Sequence, residues 1–188
     1  MRQDEFLSIL TVAEKLKCNT RHSDTSSGRR ESVAEHSWRL ALMAMLLEDE
    51  FADVDINKVI KMCLIHDLGE AFTGDIATFY KTQADTERED RAYEKWVNSF
   101  PAVQKEQFLE LLAEMSALQT KEARLYKALD KMEAVIQHNE ADISSWLPLE
   151  YDLQLMYGAE EVKFSPYLVQ LKECIDAWTR EKIEKVKE

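Results

Sequence analysis

Four glycines and three prolines in 188 residues leave this chain few places to turn. Average usage puts the two residue types together at about 12%, and all-β sandwiches or barrels need turn signals at short, regular intervals. An all-β fold is therefore excluded. Alternating βαβ units would need β-branched runs between the helical patterns, and the sequence has none. An all-α fold is what remains. The length is that of one domain: residues 1–188 are expected to form it, with a motif-bearing core at about 21–140 and C-terminal helices in 148–188 packed on that core. A hydrophobic fraction of 45% is enough for a chain that can bury about two-thirds of its unfolded surface.

The formal net charge of −12 opposes binding to duplex nucleic acid or an anionic membrane through general electrostatics, so neither is an expected partner. An anionic small molecule is still accommodated if a metal ion or a few placed Lys and Arg attract it locally. Cys18, Cys63 and Cys174 are too few and too scattered for a disulfide framework or a CxxC zinc site, and reduced thiols in the cytoplasm are the expectation. The opening residues Met1 to Phe6 lack the apolar core of a signal peptide. No stretch approaches the roughly 18 apolar residues of a membrane span.

Apolar spacing and caps predict a first helix over 3–17, striped by Phe6, Ile9, Leu10, Ala13 and Leu16. A second begins at Val33, behind the capping box of Ser32 and Glu35. A third, capped by Asp55, carries Ile56, Val59, Ile60 and Cys63. Further helices are predicted at 85–99, 103–118, 121–140 and 148–157, and from the cap pair Ser165-Pro166 to about 185. Asn19 to Arg30 reads as the longest loop, and Gly69 to Thr82 as irregular.

Two of these helices break their own apolar pattern. At about 100° per residue, Val59, Cys63, His66 and Glu70 share a stripe with Asp67 at its edge, while His36 shares a face with Val33, Leu40, Met43, Ala44 and Leu47. Ionisable groups on core-facing positions are costly unless paired, hydrogen-bonded or bound to a metal. His36 by itself also reads as a satisfied core histidine, and His66 as a cation at the negative end of a helix. Asp67 and Glu70 are disfavoured at that end, which turns the balance toward two His and a carboxylate ligating a divalent metal.

Taken in order, Ser32-Val33-Ala34-Glu35-His36-Ser37, His66-Asp67-Leu68-Gly69-Glu70, Gly74-Asp75-Ile76 and Leu129-Asp130-Lys131 resemble the HD-domain metal-dependent phosphohydrolases, nearest to their bacterial 5′-deoxynucleotidase branch. The resemblance covers about Arg21 to Asp130. It implies a helical domain built around one divalent metal (Co, Mn, Fe, Ni, Zn or Mg) held by His36, His66, Asp67 and Asp130. Asp130 rests on the resemblance, because the main stripe of its helix is Leu125, Leu129, Met132 and Ile136; Ala123 and Ala134 share its face. The chain has four histidines, none between His66 and His138, where two-metal members carry more, so a mononuclear site is expected.

The resemblance further implies hydrolysis of nucleoside 5′-monophosphates. Glu70 is placed to orient or deprotonate an attacking water, and Asp75 to contact substrate or help protonate the leaving oxygen. Arg21 stands where the branch has a substrate arginine. His22 follows it, where the branch carries an aromatic that helps exclude the 2′-hydroxyl. Arg29 and Arg30 are alternative phosphate ligands, and Lys127 reads either as site-facing or as surface. Two other readings share the motif: a phosphohydrolase of another small phosphomonoester or phosphodiester, and a non-catalytic module sensing a nucleotide or metal. A homodimer through the helices at 103–118 and 166–185 is a further expectation.

Overall fold

The helix signals are met nearly position for position in the computed structural model, which describes residues 1–186. The Ser32 side chain accepts from the backbone N–H of Glu35, and the Glu35 carboxylate reaches back to the N–H of Ser32, starting α2 (Val33–Leu46). Asp55 caps α3 (Ile56–Ile65) through Lys58 N–H. Thr82 caps α5 (Gln83–Val97), Thr120 caps α7 (Lys121–Glu140), and Ser165 with Pro166 starts α9 (Pro166–Glu184). Each such cap satisfies an amide that the first helical turn leaves without a partner. The set is completed by α1 (Gln3–Ala13), the single turn α4 (Glu70–Thr73), α6 (Ala102–Ala117) and α8 (Glu150–Met156).

α7 is the axis of the fold. It packs against α2, α3, α6 and α9, and Leu125, Leu129 and Met132 on it are fully buried together with Leu40 of α2, Met62 of α3 and Leu168 of α9. Cys63 is buried in the same core, as its place on the α3 stripe requires.

Three expectations need correction. The stretch read as the longest loop contains an antiparallel hairpin, β1 (Thr20–Asp24) with β2 (Arg30–Ser32), paired Thr20 to Ser32 and Asp24 to Arg30 with an irregularity between them. Gly28, at φ 79, supports the turn. These strands escape hydropathy because their inward residues are polar: Ser23 and Glu31 are buried and bond to each other at 3.1 Å. The first helix gives way to a 3-10 turn at Glu14–Lys17 and buries no residue over its α-helical span, leaving Phe6 and Leu10 half exposed. The irregular segment holds the turn of α4, ended by Gly74 at φ 76, a backbone conformation that glycine enters without steric cost.

Candidate metal centre

α2 and α3 pack side by side, with α7 across both. This arrangement brings together four residues that stand far apart in the sequence. His36 enters from the first turn of α2, His66 and Asp67 from the end of α3, and Asp130 from the middle of α7. The two imidazole Nε2 atoms are 3.2 Å apart. Asp130 Oδ1 is 3.2 Å from His36 Nε2 and 3.7 Å from His66 Nε2, and Asp67 Oδ2 is 2.9 Å from His66 Nε2.

The far side of each ring fixes what the near side offers. His66 Nδ1–H donates to the Cys63 carbonyl at 2.8 Å, and His36 Nδ1–H donates to the carboxylate of Glu133. A neutral imidazole with Nδ1 protonated presents a lone pair at Nε2. Two lone pairs and two carboxylate oxygens facing one another repel unless a cation lies among them. Ligand atoms about 2.1 Å from a common ion stand about 3 Å from each other, which is the spacing found here. The mixed imidazole and carboxylate set suits a first-row divalent ion.

A proton can also serve as that cation. Burial and the Arg21 charge act to lower the pKa of His36, yet the Glu133 and Asp130 carboxylates outweigh them and raise it to about 9. Burial pushes Asp130 up, but Lys127 and the two imidazoles hold it well below the carboxylate range. Asp67 is likewise held low against burial, by His66 and His36. A second convergence of Glu31, His36 and Glu133 is a poorer cation site because arginines already cover its carboxylates. Arg21 Nε lies 3.2 Å from Glu31, and Arg39 Nε donates to Glu133 at 2.6 Å.

Glu133 was not singled out in the sequence. It is fully buried on α7 one turn past Asp130 and holds the ring of a residue 97 positions away. Only the crossing of α2 and α7 reveals it. Arg39 also bonds Gln137, whose amide donates to the Asp24 carbonyl at 2.6 Å, so this network ties β1 to the helices.

Asp67 and Asp130 line one end of a cleft of about 340 Å³, and the buried rings of His36 and His66 stand against them. Glu70 and Asp75 both line it. The turn of α4 is pinned by Asn19, whose amide donates to the Glu70 carbonyl at 2.6 Å, and Gly74 lets the chain swing Asp75 back inward. Glu70 is buried, and its Oε2 has no hydrogen-bond partner among the described residues. Burial, then repulsion from Asp67, Asp75 and Glu89, raises its pKa to about 10. Burial raises that of Asp75 as well.

Cations ring the same end. Arg21, on β1, points its NH1 toward Asp67 Oδ2 at 3.7 Å. Lys127 lies on the cleft wall and donates to Asp130 Oδ2 at 2.8 Å, which settles its two readings in favour of the site. Arg29 and Arg30 do not reach the cleft: Arg29 pairs with Glu35, and Arg30 with Asp24. His22 lines the cleft with Nε2 3.4 Å from the buried Glu150 and its ring edge-on to Phe79.

This architecture has known counterparts. A family model described as HD domain matches residues 13–172. The human 5′-deoxynucleotidase HDDC2 is 30% identical over 152 residues, covering 79% of this chain and 72% of that protein. Its Xenopus laevis counterpart is 33% identical over 148 residues, covering 77% and 72%. Among solved structures, a predicted metal-dependent phosphohydrolase from Magnetospirillum magnetotacticum MS-1 superposes with a TM-score of 0.80 at 29% identity, covering 96% of this chain and 94% of that one.

Proposed function

This chain belongs to the HD-domain family, and we propose that within it the chain is a metal-dependent hydrolase of phosphomonoesters whose substrates are nucleoside 5′-monophosphates, deoxynucleotides foremost. One observation carries the proposal: two His Nε2 atoms, both with Nδ1 committed elsewhere, face Asp67 and Asp130 at the head of a cleft that also holds an unpartnered buried carboxylate, Glu70. His36, His66, Asp67 and Asp130 would hold one divalent ion. When bound, such an ion acidifies water and polarises a phosphoryl oxygen.

The chain's own groups supply the rest. Arg21 and Lys127 orient the phosphate by charge, the arginine with the planar fork that suits an oxyanion. Glu70 takes the proton of the attacking water at its carboxylate. Positive charge at the ligand cluster opposes the burial and the carboxylate repulsion that keep Glu70 protonated, and so favours the ionised form that role needs. Asp75, which also lines the cleft, gives a proton to the departing 5′-oxygen. His22, braced by Phe79 and Glu150, stands beside Arg21 as a ring against the sugar.

The test is phosphate release from ribo- and deoxyribonucleoside 5′-monophosphates by protein stripped of metal and reloaded with Mn²⁺, Co²⁺ or Mg²⁺. Metal-dependent release with preference for the deoxy series is expected. No release with any metal from folded, loaded protein would overturn the proposal.

Glu133 supports a second expectation. Glu133→Gln keeps the volume but weakens the hold on His36 Nδ1, and second-layer partners of ligating histidines typically contribute 10–100-fold in metal affinity or activity. Competition with a chelating dye should show a Kd for Mn²⁺ weaker by about that range. An unchanged Kd would reduce Glu133 to a packing residue.

A further inference from the structure

Beyond the groups that handle the phosphate and the sugar, the far end of the cleft is walled by α8. α8 runs antiparallel to α7 along it. At one end Glu150 bonds His138 of α7, Nε2 to Oε1 at 3.0 Å, and at the other Lys131 Nζ lies over the ring of Tyr157, 5.1 Å from its centroid. Gln154 falls between these points, one turn after Glu150. The residue is 4% exposed and lines the cleft, yet its side-chain amide has no hydrogen-bond partner among the described residues. The amide atoms themselves are not sealed off, so their donor and acceptor are open to a ligand in the cleft.

Its position says which part of a ligand arrives there. On α7, Lys127, Asp130, Ala134 and His138 line the cleft as one stripe. Gln154 stands abreast of Ala134, one turn of about 6 Å past Asp130, beyond a phosphate held at the ligand cluster. Ala134 has no bulk there, while Leu153, Tyr157 and Phe79 supply flat or apolar walls. A flat ring fits between such walls, and the edge of a nucleobase carries a donor and an acceptor side by side, as the amide does.

From this geometry, and resting on the nucleotidase reading above, we infer that Gln154 recognises the nucleobase of the substrate and thereby separates nucleotides from base-free sugar phosphates. Because the amide can turn to present either order of donor and acceptor, it serves several bases. Its carbonyl and that of Leu155 accept from the buried ammonium of Lys172 on α9, at 3.5 and 3.4 Å, so the backbone that carries it is anchored. Glu150, itself 1% exposed, acts as a positioning residue for His138 and His22.

The experiment compares 2′-deoxyadenosine 5′-monophosphate with 2-deoxyribose 5-phosphate as substrates of metal-loaded protein, and measures binding of 2′-deoxyadenosine by calorimetry. Gln154→Leu should lower the ratio of the two kcat/KM values about tenfold and weaken deoxyadenosine binding by a similar factor, as loss of a buried hydrogen-bonding partner does. Gln154→Glu, which keeps the shape but only accepts, should shift preference toward cytosine and adenine over thymine nucleotides. It carries the test should the leucine variant fail to fold. If Gln154→Leu lowers both substrates equally, or Gln154→Glu leaves the base order untouched, the inference is overturned. Deoxyadenosine binding that depends on Gln154 in a protein that releases no phosphate would sustain the inference and sink the hydrolase reading instead.

Discussion

Asp67→Asn should lower metal-supported phosphate release on the order of a thousandfold while leaving the protein folded. The substitution preserves shape and keeps one acceptor oxygen, so α3 and its packing on α2 have no reason to change. What it removes is an anionic oxygen 2.9 Å from His66 Nε2 in a set of four whose remaining members cannot be replaced by a neighbour. A bound ion stabilises charge in phosphoryl transfer by several kcal/mol, and each ~1.4 kcal/mol is a factor of ten, which gives the size. Metal content by mass spectrometry and a thermal melt belong beside the rate. A variant that binds its ion with the parent's stoichiometry and turns over substrate near the parent's rate would remove Asp67 from the ligand set.

Glu70→Gln should separate binding from chemistry. Turnover is expected to fall by roughly 10²–10⁴-fold, the range for loss of a positioned general base, with metal affinity and KM changed by little. The reason is the state of the parent side chain: buried on the cleft wall, with Oε2 unpartnered among the described residues, and with a pKa raised to about 10 by burial and by the carboxylates of Asp67, Asp75 and Glu89. A group so placed binds its proton tightly until positive charge arrives nearby, and then becomes a base directed at the reaction centre. Turnover within a few-fold of the parent would pass the base role to Asp75. Loss of the metal along with the activity would make Glu70 a ligand.

Much of this was legible before any coordinates. Helix starts are written in local chemistry: Ser32 with Glu35, Asp55 and Ser165 with Pro166 cap where their side chains reach a free amide within three residues. His66 and Asp67 could be read because they interrupt an apolar stripe, and an ionic group in a core needs a reason. Asp130 could not be read that way, since its helix presents different faces to several neighbours and is packed on most of them. The resemblance supplied it, and the side chain does stand beside His36 and His66. The hairpin of β1 and β2 was missed because its buried positions are Ser23 and Glu31, which give no hydropathy alternation and are satisfied only by each other and by Arg21. Glu133, Glu150 and Gln154 were missed for a related reason: on the sequence they are polar helix residues like many others. Their partners are 97 positions away for Glu133 and 12 for Glu150, and the Gln154 amide has none among the described residues.

The cleft is assembled from parts of unequal rigidity. Its ligand end is set in the crossing of three long helices, where a change of one methylene disturbs tight packing. Its selecting end hangs on two short strands and a seven-residue helix, moored by single bonds such as Gln137 to the Asp24 carbonyl and Lys172 to the end of α8. Substitutions at His22 or Gln154 therefore alter what is admitted without touching the packing that sets the reaction centre. In evolutionary terms the reaction is inherited with the core, while the diet of the enzyme is free to drift at its margin.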